Sequence, residues 1–304
     1  MLIKLEKGIW VVKPPVKPRY PYGNCMYIED EHSAVIDLGA GGRAFSDLPC
    51  QEIQLALISH FHFDHLHGDS FFPNAQLWAG REESQTYINQ EEYLAFHGYD
   101  LWQQIMPGAE RDAFGQVVPL PDDVPVKPGF RTIPLAGTFC DNQEINLGAH
   151  TIIAMHLPGH TAGHYGFYLK KENILFSADI DLVESGPWYS SASADIGQLI
   201  NSVRRIQALD PAVIVPSHRQ VQTDNIQKKL QAYIQVVIDR DARIFDILQS
   251  PHTLPQLGDY KLVFPQAGNI YEVFWERMTV FNHLKHLLQL GLIAEIEKGV
   301  YQQV

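Results

Sequence analysis

The sequence predicts an α/β protein built around two packed β-sheets. Short apolar segments recur along most of the first 216 residues, and Gly, Pro, Asn and Asp separate them, which is typical of strands joined by turns. Helical periodicity in residues 196–209, and again from Asp224 onward, adds helices to these sheets. Because His or Asp directly follows several of the apolar segments, the predicted sheets also carry a candidate site.

Nine apolar segments are predicted to be strands. A proline-rich loop, residues 14–21, separates the first two, and the run Gly39-Ala40-Gly41-Gly42 ends the third. In chain order the predicted strands are 8–12, 25–28, 33–38, 54–59, 75–79, 150–157, 166–169, 173–177 and 212–216.

Helical periodicity is clearest in the second half of the chain. Residues 196–209 place Leu199, Val203 and Ile206 on one face, and Asp210-Pro211 ends this helix. A longer helix begins near Asp224, a residue type that caps helices well, and continues toward residue 248. Residues 82–106 are also helical in pattern and are rich in aromatic side chains.

A boundary near Ser250-Pro251 divides the chain into residues 1–249 and a smaller module, residues 250–304. This module shows a helical pattern followed by Gly291 and two strands, 292–297 and 300–304, which is the outline of a winged-helix-like unit. Its charge is close to neutral, so we expect packing or formation of a homodimer rather than DNA binding.

The overall charge excludes some classes of partner. Lys and Arg number 23 and Asp and Glu 35, giving a net charge of −12, which disfavours nucleic acid as the partner. We expect no membrane partner, because the sequence has no uncharged apolar run of about 18 residues. Residues 1–10 lack the apolar core of a signal peptide, so a cytoplasmic protein is expected. The cysteines, Cys25, Cys50 and Cys140, form neither a CxxC pair nor a disulfide framework and are interpreted as isolated buried residues.

The most specific motif is His60-Phe61-His62-Phe63-Asp64-His65, directly after an apolar strand. In an extended chain His60 and His62 point the same way and are able to hold one metal, while Asp64 and His65 turn toward a second. Three further predicted strands end in candidate ligands, which are His160, Asp179 and His218. These side chains converge only if the strand ends share one edge of the sheets.

This order of motifs resembles the metallo-β-lactamase fold superfamily of hydrolases, including its glyoxalase II-like and ribonuclease-like branches, over residues 9–219. The resemblance implies a four-layer αββα sandwich with a dinuclear metal site along one edge. It implies that the first metal is held by His60, His62 and His160, that the second is held by Asp64, His65 and His218, and that Asp179 bridges them. All seven positions are present in this sequence.

The resemblance also implies roles for residues around the metals. Asp37 resembles an aspartate that braces the metal loop, although a turn-forming aspartate explains it equally well. His164 supports the ligands through hydrogen bonds or packs in the core. Tyr189 reaches the site from a loop, although its spacing departs from that of lactonases. Independently of the resemblance, Arg219 is next to His218 in the sequence and is expected either to bind a carboxylate or phosphate or to lie at the surface.

By this resemblance the chain is a dinuclear metal-dependent hydrolase that uses a metal-bridging hydroxide to cleave a small-molecule ester, thioester or lactone. Asp64 is the candidate catalytic residue, orienting the hydroxide and protonating the leaving group. Zinc is the expected metal, with iron and manganese as alternatives. Compared with compact family members, the interval between His65 and His160 is long, so residues from about 82 to 130 are interpreted as a helical cap inserted over the metals. Its aromatic side chains either favour a substrate with an apolar portion or pack the core of the cap itself.

Three other functions remain open from the sequence. The winged-helix-like tail resembles that of a ribonuclease-like branch, so a phosphodiesterase or ribonuclease is the first alternative, weakened by the lack of a basic groove. A persulfide dioxygenase with a single iron is the second. A metal-stabilised binding or scaffolding protein is the third, and it belongs to a different class because it has no turnover.

Overall fold

The computed structural model describes residues 1–117 and 119–304, and two β-sheets lie at its centre. The first sheet runs in chain order, antiparallel up to its fourth strand and parallel from there on. Its strands are β1 (Leu2–Glu6), β2 (Ile9–Val12), β3 (Cys25–Ile28), β4 (Ala34–Ile36), β5 (Leu55–Ile58), β6 (Gln76–Gly80) and β7 (Gly137–Phe139). The strands of the second sheet are β8 (Gln143–Asn146), β9 (Thr151–His156), β10 (Tyr165–Leu169), β11 (Ile174–Ala178) and β12 (Val213–Pro216).

Helices cover both sheets and continue beyond them. The helices are α1 (Gly42–Phe45), α2 (Phe63–Leu66), α3 (Gln90–His97), α4 (Trp102–Ile105), α5 (Phe114–Val117), α6 (Ile196–Leu209), α7 (Ile226–Ile247), α8 (Leu254–Gly258) and α9 (Ile270–Gln289). Two 3₁₀ helices span Asp69–Phe71 and Arg81–Tyr87. A small third sheet contains β13 (His252–Thr253), β14 (Ile293–Glu297) and β15 (Val300–Gln303), with β15 in the middle. Across the described ranges, no helix has both the length and the hydropathy needed to cross a membrane.

Because successive side chains of a strand point to opposite faces of its sheet, one core lies between the two sheets and one lies on the outer face of each. In β4, Ala34 and Ile36 enter the core between the sheets, whereas Val35 packs on the opposite side with α1 and α2. In β10, Phe167 faces the first sheet and Tyr168 faces the core formed with α6 and α7. The layers therefore follow the order helix, sheet, sheet, helix, which confirms the αββα sandwich.

The C-terminal segment packs against α4 rather than standing apart from it. Trp102 of α4 stacks on Phe274 of α9 at a ring-centroid distance of 4.8 Å, and both lie in a fourth core that also includes Ile244 of α7. The segment shows the predicted order of one helix followed by a hairpin. Its classification as a winged-helix-like module and the boundary at residue 250 stay predictions.

The structure corrects several local expectations. Residues 82–106 do not form one helix, because Gly98, with a left-handed φ of +74°, ends α3. The long α7 is preceded by Asn225 rather than by Asp224. Strands β1, β7 and β8 were not predicted, since they are short or lie at sheet edges and carry exposed polar residues instead of an apolar run. The cysteines are free as expected, but Cys50 and Cys140 are only half-buried.

Candidate metal centre

The candidate ligands lie at the carboxyl ends of four strands. Residues 59–65 follow β5, His160 follows β9, Asp179 follows β11 and His218 follows β12. β11 and β12 are parallel, so their ends meet at one edge of the second sheet. Gly39 permits the backbone of the loop after β5 to approach closely, because a Cβ at position 39 would lie 1.6 Å from the carbonyl oxygen of Asp64. The strand ends therefore converge on one buried site, as the motif order predicts.

The first group of side chains consists of three histidines and one aspartate. The Nε2 atoms of His60 and His160 are 3.2 Å apart, and Nδ1 of His62 lies 2.8 Å from the former and 3.0 Å from the latter. Oδ2 of Asp179 lies 3.3 Å from Nε2 of His160 and 3.8 Å from Nε2 of His60. Four potential donor atoms thus surround one point.

The second group lies beside the first and shares Asp179 with it. Asp64, His65 and His218 bring one donor atom each within 4.8 Å of one another. Oδ1 of Asp179 lies 3.1 Å from Nε2 of His65 and 3.3 Å from Nε2 of His218, while Oδ2 of Asp64 lies 3.3 Å from the same His218 nitrogen. The two oxygens of Asp179 therefore face different groups.

The chemistry of the first group fits a bound cation. Nδ1 of His160 donates a 2.6 Å hydrogen bond to the carbonyl oxygen of Trp188, which leaves its Nε2 lone pair directed at the other histidines. Burial holds the pKa values of His60, His62 and His160 below the usual histidine value, so the rings stay neutral. When neutral rings direct their nitrogen lone pairs at one another, those nitrogens have too few hydrogen-bond donors to accept from. A divalent cation would accept all of these lone pairs at once.

The second group has an excess of negative charge. Although burial lowers the pKa of His65, the carboxylates of Asp179 and Asp37 raise it to about 10. Against the same effect of burial, Asp179 and Asp64 raise the pKa of His218 well above its usual value. Within the described part of the chain, Oδ1 of Asp179 and Nε2 of His65 are buried and make no hydrogen bond of good geometry. Carboxylates that favour a positive charge here, with no thiolate nearby, form a donor set suited to a divalent metal ion.

Asp37 connects the first sheet to the histidine loop. Its Oδ2 accepts hydrogen bonds from Nδ1 of His65 at 2.7 Å and from the Ser59 hydroxyl at 2.8 Å. Its Oδ1 accepts from the Ser59 backbone N–H at 2.8 Å. The Asp37 backbone is in the left-handed region, with φ of 59°, which turns the chain at the end of β4. These contacts fix the His65 ring with Nε2 directed toward Asp179.

His164 holds the backbone of Asp179. Its Nδ1 donates to the carbonyl oxygen of Leu157 at 3.0 Å, and its Nε2 accepts the backbone N–H of Asp179 at 3.1 Å. Burial lowers its pKa to about 3, so the ring is neutral and this tautomer is retained. It lies behind the donor atoms rather than among them.

Glu83 was not anticipated from the sequence. Its buried carboxylate accepts the backbone N–H of Phe61 at 2.9 Å and that of Gly163 at 2.6 Å, so it joins the two histidine-bearing loops. Glu83 lies in the 3₁₀ helix after β6, and these two contacts span 22 and 80 positions of the chain. Only the folded topology brings it there, and no local pattern in the sequence indicates it.

The family of the chain follows from comparison with known proteins. The family model described as the metallo-beta-lactamase superfamily matches residues 19–218, which is most of the chain. The chain belongs to the metallo-β-lactamase superfamily. This confirms the resemblance drawn from the motifs.

Superfamily members of known structure share the fold. A metallo-beta-lactamase family protein from Thermus thermophilus superposes with a TM-score of 0.76 at 20% identity, covering 99% of this chain and 100% of that one.

Curated proteins of related sequence match part of the chain. An atrochrysone carboxyl ACP thioesterase from Aspergillus fumigatus is 27% identical over 46% of this chain and 44% of its own length. A hydroxyacylglutathione hydrolase from Bartonella quintana is 29% identical over 41% of this chain and 50% of its own length. The chain thus spans half or less of the length of these curated relatives.

Two side chains expected near the substrate in this superfamily member lie elsewhere. The Tyr189 hydroxyl bonds to Nε2 of His283 at 2.8 Å and to Arg240 at 2.9 Å, away from the candidate ligands. Arg219 pairs with the exposed Glu184 at 3.2 Å, and its side chain does not line the pocket. In this structure neither side chain lines the pocket, so the geometry gives no support to a contact of Tyr189 or Arg219 with the substrate. The adjacent Trp188 reaches the site instead, with its ring 5.2 Å from that of His62.

A pocket of about 480 Å³ opens above the two groups of donor atoms. Its wall includes Tyr93 and Tyr99 from the segment predicted to form a cap, whereas Phe96 and Trp102 of this segment are buried in cores. The aromatic side chains of this segment are thus divided between the pocket wall and cores shared with the rest of the chain, and their preference for a substrate with an apolar portion stays a prediction. Further wall residues, which the sequence did not indicate, are Arg19, Tyr20, Phe114, Arg131, Trp188, Phe264, Asn269, Glu272 and Trp275.

Proposed function

We propose that this superfamily member is a dinuclear metal-dependent hydrolase that cleaves a small ester, thioester or lactone. The observation that carries the proposal is the convergence of two groups of donor atoms on one carboxylate, that of Asp179. In this proposal the first metal is held by His60, His62 and His160, the second by Asp64, His65 and His218, and Asp179 contacts both.

The donor set also supports a choice of metal. Imidazole and carboxylate ligands without thiolate suit zinc, which we propose, and they also accept iron or manganese. When bound, two such ions lower the pKa of water and polarise a carbonyl oxygen. Metal content measured by elemental analysis of the purified protein tests this choice.

The chain's own residues prepare the site for this chemistry. Asp37 and the Trp188 carbonyl accept hydrogen bonds from Nδ1 of His65 and of His160, so that the Nε2 atoms of both rings face the centre. Asp64 lines the pocket, and His218 beside it, against the opposing effect of burial, lowers the pKa of the Asp64 carboxyl. We assign to Asp64 the transfer of a proton from the attacking water to the leaving group.

The pocket and the relatives favour a small organic substrate over nucleic acid. Aromatic side chains make up much of the pocket wall. Arg131 in this wall is already paired with Asp69 through its two terminal guanidinium nitrogens, at 2.7 and 2.8 Å. Arg19 is the other arginine of the wall, and with a net charge of −12 the chain as a whole disfavours a polyanion. One relative is named as a thioesterase and another as a hydroxyacylglutathione hydrolase, which supports the hydrolysis of a thioester.

The test is a panel of ester, thioester, lactone and phosphodiester substrates offered to protein of measured metal content. We expect turnover that a chelator removes and zinc restores. Activity on the phosphodiester alone would favour the phosphodiesterase alternative, and a single iron with persulfide oxidation would favour the dioxygenase. Metal binding that stabilises the fold without any turnover would favour a binding or scaffolding protein.

Three predictions about the whole chain remain with this proposal. They are a cytoplasmic location, a homodimer, and a winged-helix-like identity for residues 250–304. Size-exclusion chromatography with light scattering measures the oligomeric state directly.

A further inference from the structure

Aromatic rings from three distant parts of the chain meet above the candidate metal centre. Trp188 follows β11, Trp275 belongs to α9 and Tyr20 lies in the loop between β2 and β3. The Trp188 and Trp275 rings are 5.9 Å apart and nearly perpendicular, at 82°. The Trp188 ring is also 5.7 Å from the ring of His160. An indole wall therefore begins directly at the donor atoms.

The two indoles are held in place by rigid supports. Trp275 packs against Phe114 at 5.5 Å, with an angle of 66° between the rings. Trp188 is fixed through its carbonyl oxygen, which accepts the hydrogen bond from His160. The next residues are held by α9, where Asn282 donates to the carbonyl oxygen of Tyr189 at 2.9 Å. The backbone that carries Trp188 is thus anchored on both sides, and the ring of Trp275 is packed against Phe114.

Both indoles remain partly exposed toward the pocket. Among the residues that the structure describes, neither indole N–H donates a hydrogen bond. Aromatic faces and edges at these separations favour a further ring in edge-to-face or offset contact. A flexible aliphatic chain gains less here, because binding it in one conformation costs conformational entropy that a flat ring does not have to lose. The volume of about 480 Å³ is sufficient for a ring system of one or two rings together with the scissile group.

We propose that the substrate carries a flat, uncharged aromatic ring system on its acyl side, bound in edge-to-face or offset contact with the wall that Trp188 and Trp275 form. The proposal rests on the proposed hydrolase function and names its substrate class. Hydrolysis adds the oxygen of water to the acyl carbon and breaks the bond to the leaving atom, which departs with the electron pair. The leaving group takes up one proton of the water, and the other is released with the carboxylic acid.

The experiment compares thioesters that share one thiol and differ only in the acyl group. Phenylacetyl and cyclohexylacetyl N-acetylcysteamine thioesters match in size but differ in flatness, and 2-naphthylacetyl and hexanoyl thioesters extend the comparison. After correction for alkaline hydrolysis rates, we expect kcat/KM to be at least tenfold higher for each aromatic member. Equal or higher values for the aliphatic members would overturn the proposal.

Variants connect this preference to the indole wall. We expect Trp275→Leu to reduce the aromatic-to-aliphatic ratio about tenfold and Trp275→Phe to retain most of it. Tyr260→Leu, at an exposed aromatic outside the pocket wall, is the matched control and is expected to leave the ratio unchanged. A ratio that is the same in Trp275→Leu and in the unmodified protein would contradict the proposed binding at the indole wall, provided that both have the same melting temperature.

A binding measurement separates this inference from the proposed function. 4-Nitrophenylacetamide is a neutral, non-hydrolysed probe, and its binding beside two indoles should quench tryptophan fluorescence, with about tenfold weaker affinity in Trp275→Leu. Quenching without turnover of any substrate would reject the hydrolase and retain aromatic binding at the indole wall. Turnover without aromatic preference or quenching would retain the hydrolase and reject aromatic binding at the indole wall.

Discussion

The hydroxyl of Tyr189 donates a 2.8 Å hydrogen bond to Nε2 of His283, joining the loop after β11 to the C-terminal helix. The direction follows from the neighbours: Arg240 donates to the same hydroxyl at 2.9 Å, so the hydroxyl proton is directed to His283. Nδ1 of His283 in turn donates to Asp241 at 2.6 Å. Burial lowers the pKa of His283, which agrees with a neutral ring in this chain of bonds.

Removal of this hydroxyl should weaken both the fold and the metal site. Tyr189→Phe leaves Nε2 of His283 and one Arg240 N–H without their partner, which costs about 1–3 kcal/mol of unfolding free energy. The neighbouring Trp188 carbonyl then holds His160 less firmly, so zinc affinity should also fall. Thermal denaturation and competition with a chromogenic chelator measure the two effects. Tyr260→Phe is the control, and an unaltered zinc affinity in Tyr189→Phe would argue against the coupling.

Glu83→Gln tests the link between the two histidine loops. The carboxylate accepts two backbone N–H groups, and an amide would direct its own N–H₂ at one of them. Residues that orient metal ligands typically change metal affinity by about 10–100-fold, and we expect a loss in this range. Glu91→Gln, on the exposed side of α3, should behave like the unmodified protein. Equal zinc dissociation constants for all three proteins would show that Glu83 does not support the ligands.

Asp64→Asn separates metal binding from proton transfer. The amide oxygen still faces the second metal position, but the group no longer accepts a proton. If Asp64 transfers the proton, kcat should fall by about 100-fold or more, because general acid–base catalysis contributes on this scale. Metal content and kcat are measured on the same preparation. A variant that retains both metals and full kcat would exclude the assigned role.

The pair formed by His286 and Asp241 predicts a pH dependence of stability. Nδ1 of His286 lies 2.7 Å from Asp241, and this hydrogen bond, together with the charges of Asp241 and nearby Asp195, raises the His286 pKa. A raised pKa in the folded state means that the stabilisation is complete below the unfolded-state pKa and is lost as pH rises through the folded-state value. The difference in melting temperature between the unmodified protein and His286→Asn should therefore be larger at about pH 5.5 than at about pH 9. His283 contacts the same carboxylate, so an identical difference at both pH values would assign the pairing to His283 alone.

The sequence predicted the parts of the site that depend on local pattern. His60 and His62 are two residues apart after an apolar strand, and Asp179 and His218 follow strands directly, so their placement requires only that the strand ends meet. Since these side chains are imidazoles and carboxylates, which bind metal ions, the sequence also predicted a metal site. The same reasoning located the core strands, which are apolar and end at turns.

Features that depend on contacts between distant residues were not predictable from one sequence. Glu83 reaches Gly163 across 80 positions, and Tyr189 reaches His283 across 94. Arg219 is adjacent to His218, yet the turn after β12 directs its side chain to Glu184. Adjacency in the chain therefore did not imply adjacency at the site.

The position of α9 has a consequence for altering this protein. Trp275 contributes to the pocket wall, and Asn282, two turns further along the same helix, holds the segment that carries Trp188. Substitutions in α9 would therefore affect both ligand preference and metal retention. In a library of variants randomised in this helix, a gain in one property would often come with a loss in the other. The loop that carries Tyr20 is connected to the candidate ligands as well, because the Tyr22 carbonyl oxygen accepts a hydrogen bond from Nδ1 of His218 at 3.2 Å.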